Sequence, residues 1–175
     1  MLIDEFDDPG SRESDCSEVI EVQRVILHPR YDQYQITNDI ALLHLEKAPR
    51  CLENIGIPAL ANATPPAGTS VIAAGWGALW DPNSDSNPSP LPSVMYPTVP
   101  HEVTLNITPD VQCKDLVGES ALDVTLCAGA GGGKDTCFGD SGGPLFMWFG
   151  VQPVLVGLTS CCLLYTSDAA DEEDS

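Results

Sequence analysis

An all-β fold is predicted by three features of the chain. Apolar and β-branched residues come in runs of strand length, Gly, Pro and Asn separate those runs, and helical patterning is scarce. The 15 Gly and 15 Pro among 175 residues supply the turns that many short strands need. In chain order, strands are expected over 19–27, 40–45, 71–74, 103–107, 144–149 and 153–159. One short helix is expected over 109–116, with Thr108 as N-cap, Pro109 in the first helical position and Asp110 favouring the dipole. The Pro-, Ser- and Asn-rich stretch 81–100 reads as a long surface loop.

Charge narrows the partners. Seven Lys and Arg against 26 Asp and Glu give a formal net charge of -19, so phosphate backbones are repelled and nucleic acid is excluded as a partner. No apolar run approaches the roughly 20 residues that span a bilayer, so no membrane anchor is expected within the chain. Asp4, Glu5, Asp7, Asp8, Glu13, Asp15, Glu18 and Glu21 cluster early. Such clusters are most often solvated, so no metal site or cofactor is assigned, although clustered carboxylates suit calcium chemically.

The run Gly139-Asp140-Ser141-Gly142-Gly143-Pro144 sets a serine between glycines and beside an acid. A serine hydroxyl attacks a carbonyl when a base takes its proton and donors hold the oxyanion, and glycines allow close backbone approach. The segment fits the G-x-S-x-G elbow, but that arrangement places its histidine after the serine, and His28, His44 and His101 all precede Ser141. The other common order is histidine, aspartate, serine, and Asp39 supplies an upstream acid. Taken alone, Asp39 reads as a turn acid, Asp135 as a solvated loop charge and 130–133 as a flexible glycine connection.

Five motifs in register change that balance. Arg24-Val25-Ile26-Leu27-His28-Pro29, Asn38-Asp39-Ile40-Ala41-Leu42-Leu43, Ala74-Gly75-Trp76-Gly77, the Ser141 segment and Val156-Gly157-Leu158-Thr159-Ser160 together resemble the chymotrypsin/trypsin family of serine endopeptidases. The resemblance implies an incomplete chymotrypsin-like double β-barrel: the end of the first barrel plus most of the second. It also implies roles. Ser141 resembles the nucleophile, Asp39 the carboxylate that orients the histidine, and Ser160 the serine that supports that carboxylate beside the substrate-binding cleft. The N–H groups of Gly139 and Ser141 correspond to the oxyanion hole, where one donor is worth about 3 kcal/mol. Asp140 resembles the acid of the activation salt bridge, and Asp135 the floor of the pocket that takes substrate Arg or Lys. The early acidic region resembles a surface loop that holds calcium in some members.

None of the three histidines follows the family pattern for the base. His28 reads as a surface residue at a strand end, His44 as part of a strand and His101 as part of a Pro-rich connection. In the family, the Ala-Ala-His-Cys segment and the new terminus released on activation precede the 24–29 strand. Both are expected to lie before Met1, whose following residues lack the features of a signal peptide. After Ser160 the family pattern stops. Residues 162–172 resemble a translated transposase-end sequencing adapter, so the protease domain is assigned to 1–161, and 162–175 is expected to be an artefact outside the fold.

Cysteine usage points to an oxidising compartment. The resemblance implies a Cys113–Cys127 disulfide and pairs Cys137 with a cysteine beyond the break. Cys16 and Cys51 flank two strands expected to be neighbours, and an extra bridge between them is expected. Two sequons, Asn62-Ala63-Thr64 and Asn106-Ile107-Thr108, fit a secreted glycoprotein, with Pro109 weakening the second.

The expected parent is a secreted, monomeric endopeptidase that cleaves after Arg or Lys through an acyl-enzyme. Its partners are protein or peptide substrates and protein protease inhibitors. The 175 residues as written are expected to be inert for want of a base. The alternative is a non-catalytic protease homologue acting as a binding or regulatory module.

Overall fold

The computed structural model describes residues 18–50, 52, 55–79, 96–129, 135–136 and 138–160. Cys16, Cys51, Cys137, the acids before Glu18, most of the 81–100 loop, the 130–133 glycines and the 162–175 tail lie outside the described residues.

The fold is all-β, in two sheets that do not close into a barrel. The smaller sheet is an antiparallel pair, β1 (Val22–Leu27) and β2 (Ala41–Leu45), with a register shift between Val22 and Arg24. The larger has six strands: β3 (Ala59–Leu60), β4 (Ser70–Gly75), β5 (His101–Ile107), β6 (Ala128–Gly129), β7 (Pro144–Phe149) and β8 (Gln152–Leu158). Their spatial order is β3-β8-β7-β4-β5-β6, with β3 running parallel to β8 and every other pairing antiparallel.

Alternation places the core on one face of the larger sheet. Val71 and Ala73 of β4 and Leu105 and Ile107 of β5 are buried two residues apart, and Leu145 of β7 closes the cluster, with Val103, Met147 and Val156 packed against it. The smaller sheet is different. Val22, Val25, Ile26, Leu27, Leu42 and Leu43 remain between 40% and 65% exposed, so apolar side chains project from both of its faces. Two strands alone are marginal in water.

Glu18 ties the ends of that pair together. Its carboxylate accepts the Arg50 backbone N–H at 2.5 Å and pairs with Lys47 Nζ at 3.2 Å and Arg50 Nε at 3.3 Å. The Arg50 N–H, outweighing partial desolvation, and then Lys47 and Arg50 hold its pKa below the usual carboxylate value. These partners leave the side chain 6% exposed, yet the strand pair around it is thin and solvent is close, so the pairs act as surface pairs of small individual worth.

The helix differs from its sequence expectation by one residue. Helix α1 spans Asp110–Val117, and Pro109 rather than Thr108 occupies the N-cap position, with φ -57° and ψ 142°. The Thr108 N–H is already committed to the Cys127 carbonyl, at 2.9 Å, while the Pro109 carbonyl accepts the Gln112 and Cys113 N–H groups. The extended Pro109 therefore ends the preceding segment instead of starting the helix. Similarly, His101 begins β5 opposite Gly75 rather than lying in a connection.

A Cys113–Cys127 disulfide joins α1 to the segment entering β6, across a sequence separation of 14. Replacing both cysteines by alanine is expected to lower stability by about 3 kcal/mol, because the unfolded chain regains the freedom of that loop. Urea unfolding of the two proteins checks this figure, and equal midpoints would contradict it.

Candidate active site

The Ser141 turn is fixed by backbone geometry that few residues other than glycine adopt. Gly139 and Gly142 have φ of +97° and +80°. The Gly142 N–H donates to the Thr159 carbonyl at 2.7 Å, and the Thr159 N–H returns a bond to the Gly143 carbonyl at 2.9 Å. Gly143 also donates to the Asp140 carbonyl at 2.8 Å, which closes the turn around Ser141. Ser141 itself is exposed. Neither the Gly139 nor the Ser141 N–H donates to another described residue.

Gly143 has no room for a side chain: an added Cβ would lie 2.7 Å from the Asp140 carbonyl oxygen and 2.9 Å from that of Ala74. Gly143→Ala is expected to cost about 1–3 kcal/mol through forced backbone movement. Gly129→Ala, with nothing within 4 Å of the new Cβ, serves as the control. Denaturant unfolding reads both, and equal midpoints would contradict the crowding at Gly143.

Asp39 is presented by a strained loop. The non-glycine residues Ile36 and Asn38 have φ of 50° and 54°, a region in which a β-branched residue such as Ile is a genuine outlier. The Asn38 side chain donates to the Arg30 carbonyl at 2.9 Å, and the Ile40 N–H reaches back to the Asn38 carbonyl at 2.8 Å, so Asp39 sits at the apex of a three-residue turn. There the Ser160 hydroxyl donates to Asp39 Oδ2 at 2.7 Å, across 121 residues of sequence. Ser160 directly follows Thr159, the partner of Gly142. Two bonds thus carry the connection from the Ser141 turn to Asp39.

Asp135, Ser160 and Asp39 line one cleft of about 830 Å³, with Leu145, Val156 and Thr136 among its other walls. Desolvation raises the Asp135 pKa above its ordinary value, against the Thr136 N–H that Oδ1 accepts at 2.7 Å. An opposite charge placed beside such a half-buried carboxylate would favour its ionised form. Ser141 does not line this cleft; it stands beyond the Gly142 to Thr159 rung.

Asp140 points elsewhere. Its Oδ1 accepts the Gly77 N–H at 2.8 Å, and a Cβ on either Gly75 or Gly77 would overlap its carboxyl group. The Gly-Trp-Gly motif is therefore a seat for Asp140, a role that sequence reasoning missed although the motif itself was visible.

The histidines stay apart from this machinery. His28 Nδ1 accepts the Arg30 N–H at 3.2 Å, His44 is exposed on β2 opposite Arg24, and His101 lines a smaller cleft with Asp140 and Gly77. Among the described residues no histidine bonds to Asp39 or Ser141. No group of three or more His, Cys, Asp or Glu among them is placed to hold a metal ion.

Comparison with known proteins bears on the fold and the family. A family model described as trypsin matches residues 6–170. The chain is 36% identical over 137 residues to submandibular glandular kallikrein-9 of Rattus norvegicus, covering 76% of this chain and 46% of that protein. It is 32% identical over 148 residues to kallikrein-14 of Homo sapiens, covering 83% and 52%, and 35% identical over 127 residues to trypsin of Xenopus laevis, covering 72% and 48%. The chain thus spans about half the length of these curated relatives. Among solved structures, neuropsin, a serine protease expressed in the limbic system of mouse brain, superposes with a TM-score of 0.64 at 28% identity, over 81% of this chain and 58% of its own.

Proposed function

The chain belongs to the trypsin family, and from that premise we propose that it is the nucleophile-bearing part of a secreted endopeptidase that cleaves after Arg or Lys. The hydrogen bond from Ser160 Oγ to Asp39 Oδ2 carries this reading. It joins the two sheets at the residues that the family resemblance assigns to the acid and its support.

In the proposed reaction Ser141 Oγ attacks the substrate carbonyl while a histidine supplied by the longer protein takes its proton. Asp39 orients that histidine and stabilises its imidazolium. The Gly139 and Ser141 N–H groups hold the tetrahedral oxyanion; the amine leaves with the proton, and water then releases the acyl group from Ser141. Asp140, seated on Gly77, sets the turn that carries those donors, and its pairing with a new α-amino terminus would complete it. Asp135 binds the guanidinium or ammonium of the substrate.

The protein is a monomer whose partners are peptide substrates and protein inhibitors. Among the described residues no helix is long and apolar enough to cross a membrane. A Cys16–Cys51 bridge is proposed because Glu18 and Arg50, two residues and one residue away from them in sequence, are in contact. The span of about half of each relative and the exposed apolar faces of β1 and β2 support a functional unit longer than these 175 residues.

The second reading is a non-catalytic homologue, favoured by the lack of any histidine bonded to Asp39 or Ser141 among the described residues. The upstream coding sequence separates the two. Histidine in an Ala-Ala-His-Cys context supports the protease, and any other residue there removes it.

A further inference from the structure

We propose that Asn62, and not Asn106, is the N-glycosylated residue of this chain, an inference that rests on the secretory reading above. The two sequons are alike in sequence and differ in where the fold puts them. Asn62, Ala63 and Thr64 are all exposed, in an irregular segment that follows β3. The segment is held at both ends: the Ala61 N–H donates to the Leu155 carbonyl at 2.9 Å, and Pro65 is buried. Between those anchors none of the three backbone N–H groups donates to another described residue, so no sheet ladder opposes a turn that brings the Thr64 hydroxyl towards the Asn62 amide.

Asn106 is held in a sheet ladder. It lies inside β5, opposite Ser70 of β4 on one side and Gly129 of β6 on the other. Ile107 belongs to the buried core, and its N–H is bonded to the Thr69 carbonyl at 2.9 Å. Thr108 is half-buried and its N–H is bonded to the Cys127 carbonyl; a proline follows the Thr in both sequons, Pro65 and Pro109, so the contrast lies in the strand and not in that proline. The side chain of Asn106 is exposed, but the tripeptide is a strand rather than the surface loop an acceptor needs.

The donor is a lipid-pyrophosphate-linked oligosaccharide. The Asn62 amide nitrogen forms a bond to the anomeric carbon and loses a proton as the sugar–phosphate bond breaks and the lipid pyrophosphate leaves. The position has a physical consequence for the fold. β3 is an edge strand of only two residues; its Leu60 is 73% exposed, and Ile57 just before it is 82% exposed. A bulky hydrated glycan one residue beyond the Leu60–Ala61 wall of the large cleft shields that edge from pairing with other chains.

The test translates the whole chain behind a cleavable secretory leader into endoplasmic-reticulum microsomes, scoring only protease-protected chains. The supplied leader makes the result independent of whether the natural protein is secreted or proteolytic. The wild-type chain is expected to gain one glycan, removable by endoglycosidase; Asn62→Gln loses it and Asn106→Gln keeps it. A glycan that survives Asn62→Gln, one that disappears in Asn106→Gln, or protected wild-type chains with no glycan overturns the proposal.

Discussion

Ser141→Ala in the longer, activated protein is expected to lower turnover of an arginyl ester by about 10⁴- to 10⁶-fold, the range found when a triad nucleophile is removed. The loss belongs to kcat rather than KM, because Ser141 stands outside the cleft that Asp135 and Ser160 line. A cationic inhibitor should therefore bind the variant about as well as the wild type. Comparable loss of turnover and of inhibitor binding would mean that the substitution disturbed the Gly139 to Gly143 turn as a whole. Unchanged turnover would remove Ser141 from the chemistry.

The second large effect is expected at Asp135. Asp135→Asn keeps the shape of the cleft and removes the charge, so preference for Arg or Lys substrates over neutral ones should fall by about 10⁴-fold, as when a site loses the polar partner it was built around. The same substitution should have an opposite effect on stability. Burial raises the folded pKa of Asp135, so the folded state holds the proton more tightly than the unfolded chain. The ionised group therefore costs stability above its folded pKa, and the cost is relieved as pH falls below the unfolded carboxylate value of about 3.9. Asp135→Asn should raise the urea midpoint at pH 7 and leave it unchanged near pH 3. A lower midpoint at pH 7 would show that the carboxylate is better satisfied than its burial implies.

The parts of this molecule that repeat locally were legible in the sequence. β7 coincides with its expected run, and β1, β2, β4, β5 and β8 shift by one to three residues at their ends, because apolar and β-branched runs bounded by Gly, Pro and Asn mark strands. β3 and β6 escaped, since two residues carry no period and each exists only through its neighbour. The Ser141 turn was visible through its glycines. The bond from Ser160 to Asp39 spans 121 residues, and only the family resemblance suggested it. The left-handed Ile36 could not be read at all, because its residue type argues against the conformation it adopts. Gly75 and Gly77 were legible as a motif but not as a seat, since what they leave room for, the Asp140 carboxyl, lies more than 60 residues away.

The most direct measurement is covalent labelling of the longer protein with a phosphonyl fluoride that carries a guanidinium group, followed by peptide mass spectrometry. Ser141 Oγ should displace fluoride and carry the adduct, at a rate that follows the ionisation of a histidine base and falls in Asp135→Asn. A protein that is folded and binds the cationic group, yet leaves Ser141 unlabelled, would contradict the assignment of this site to a serine protease.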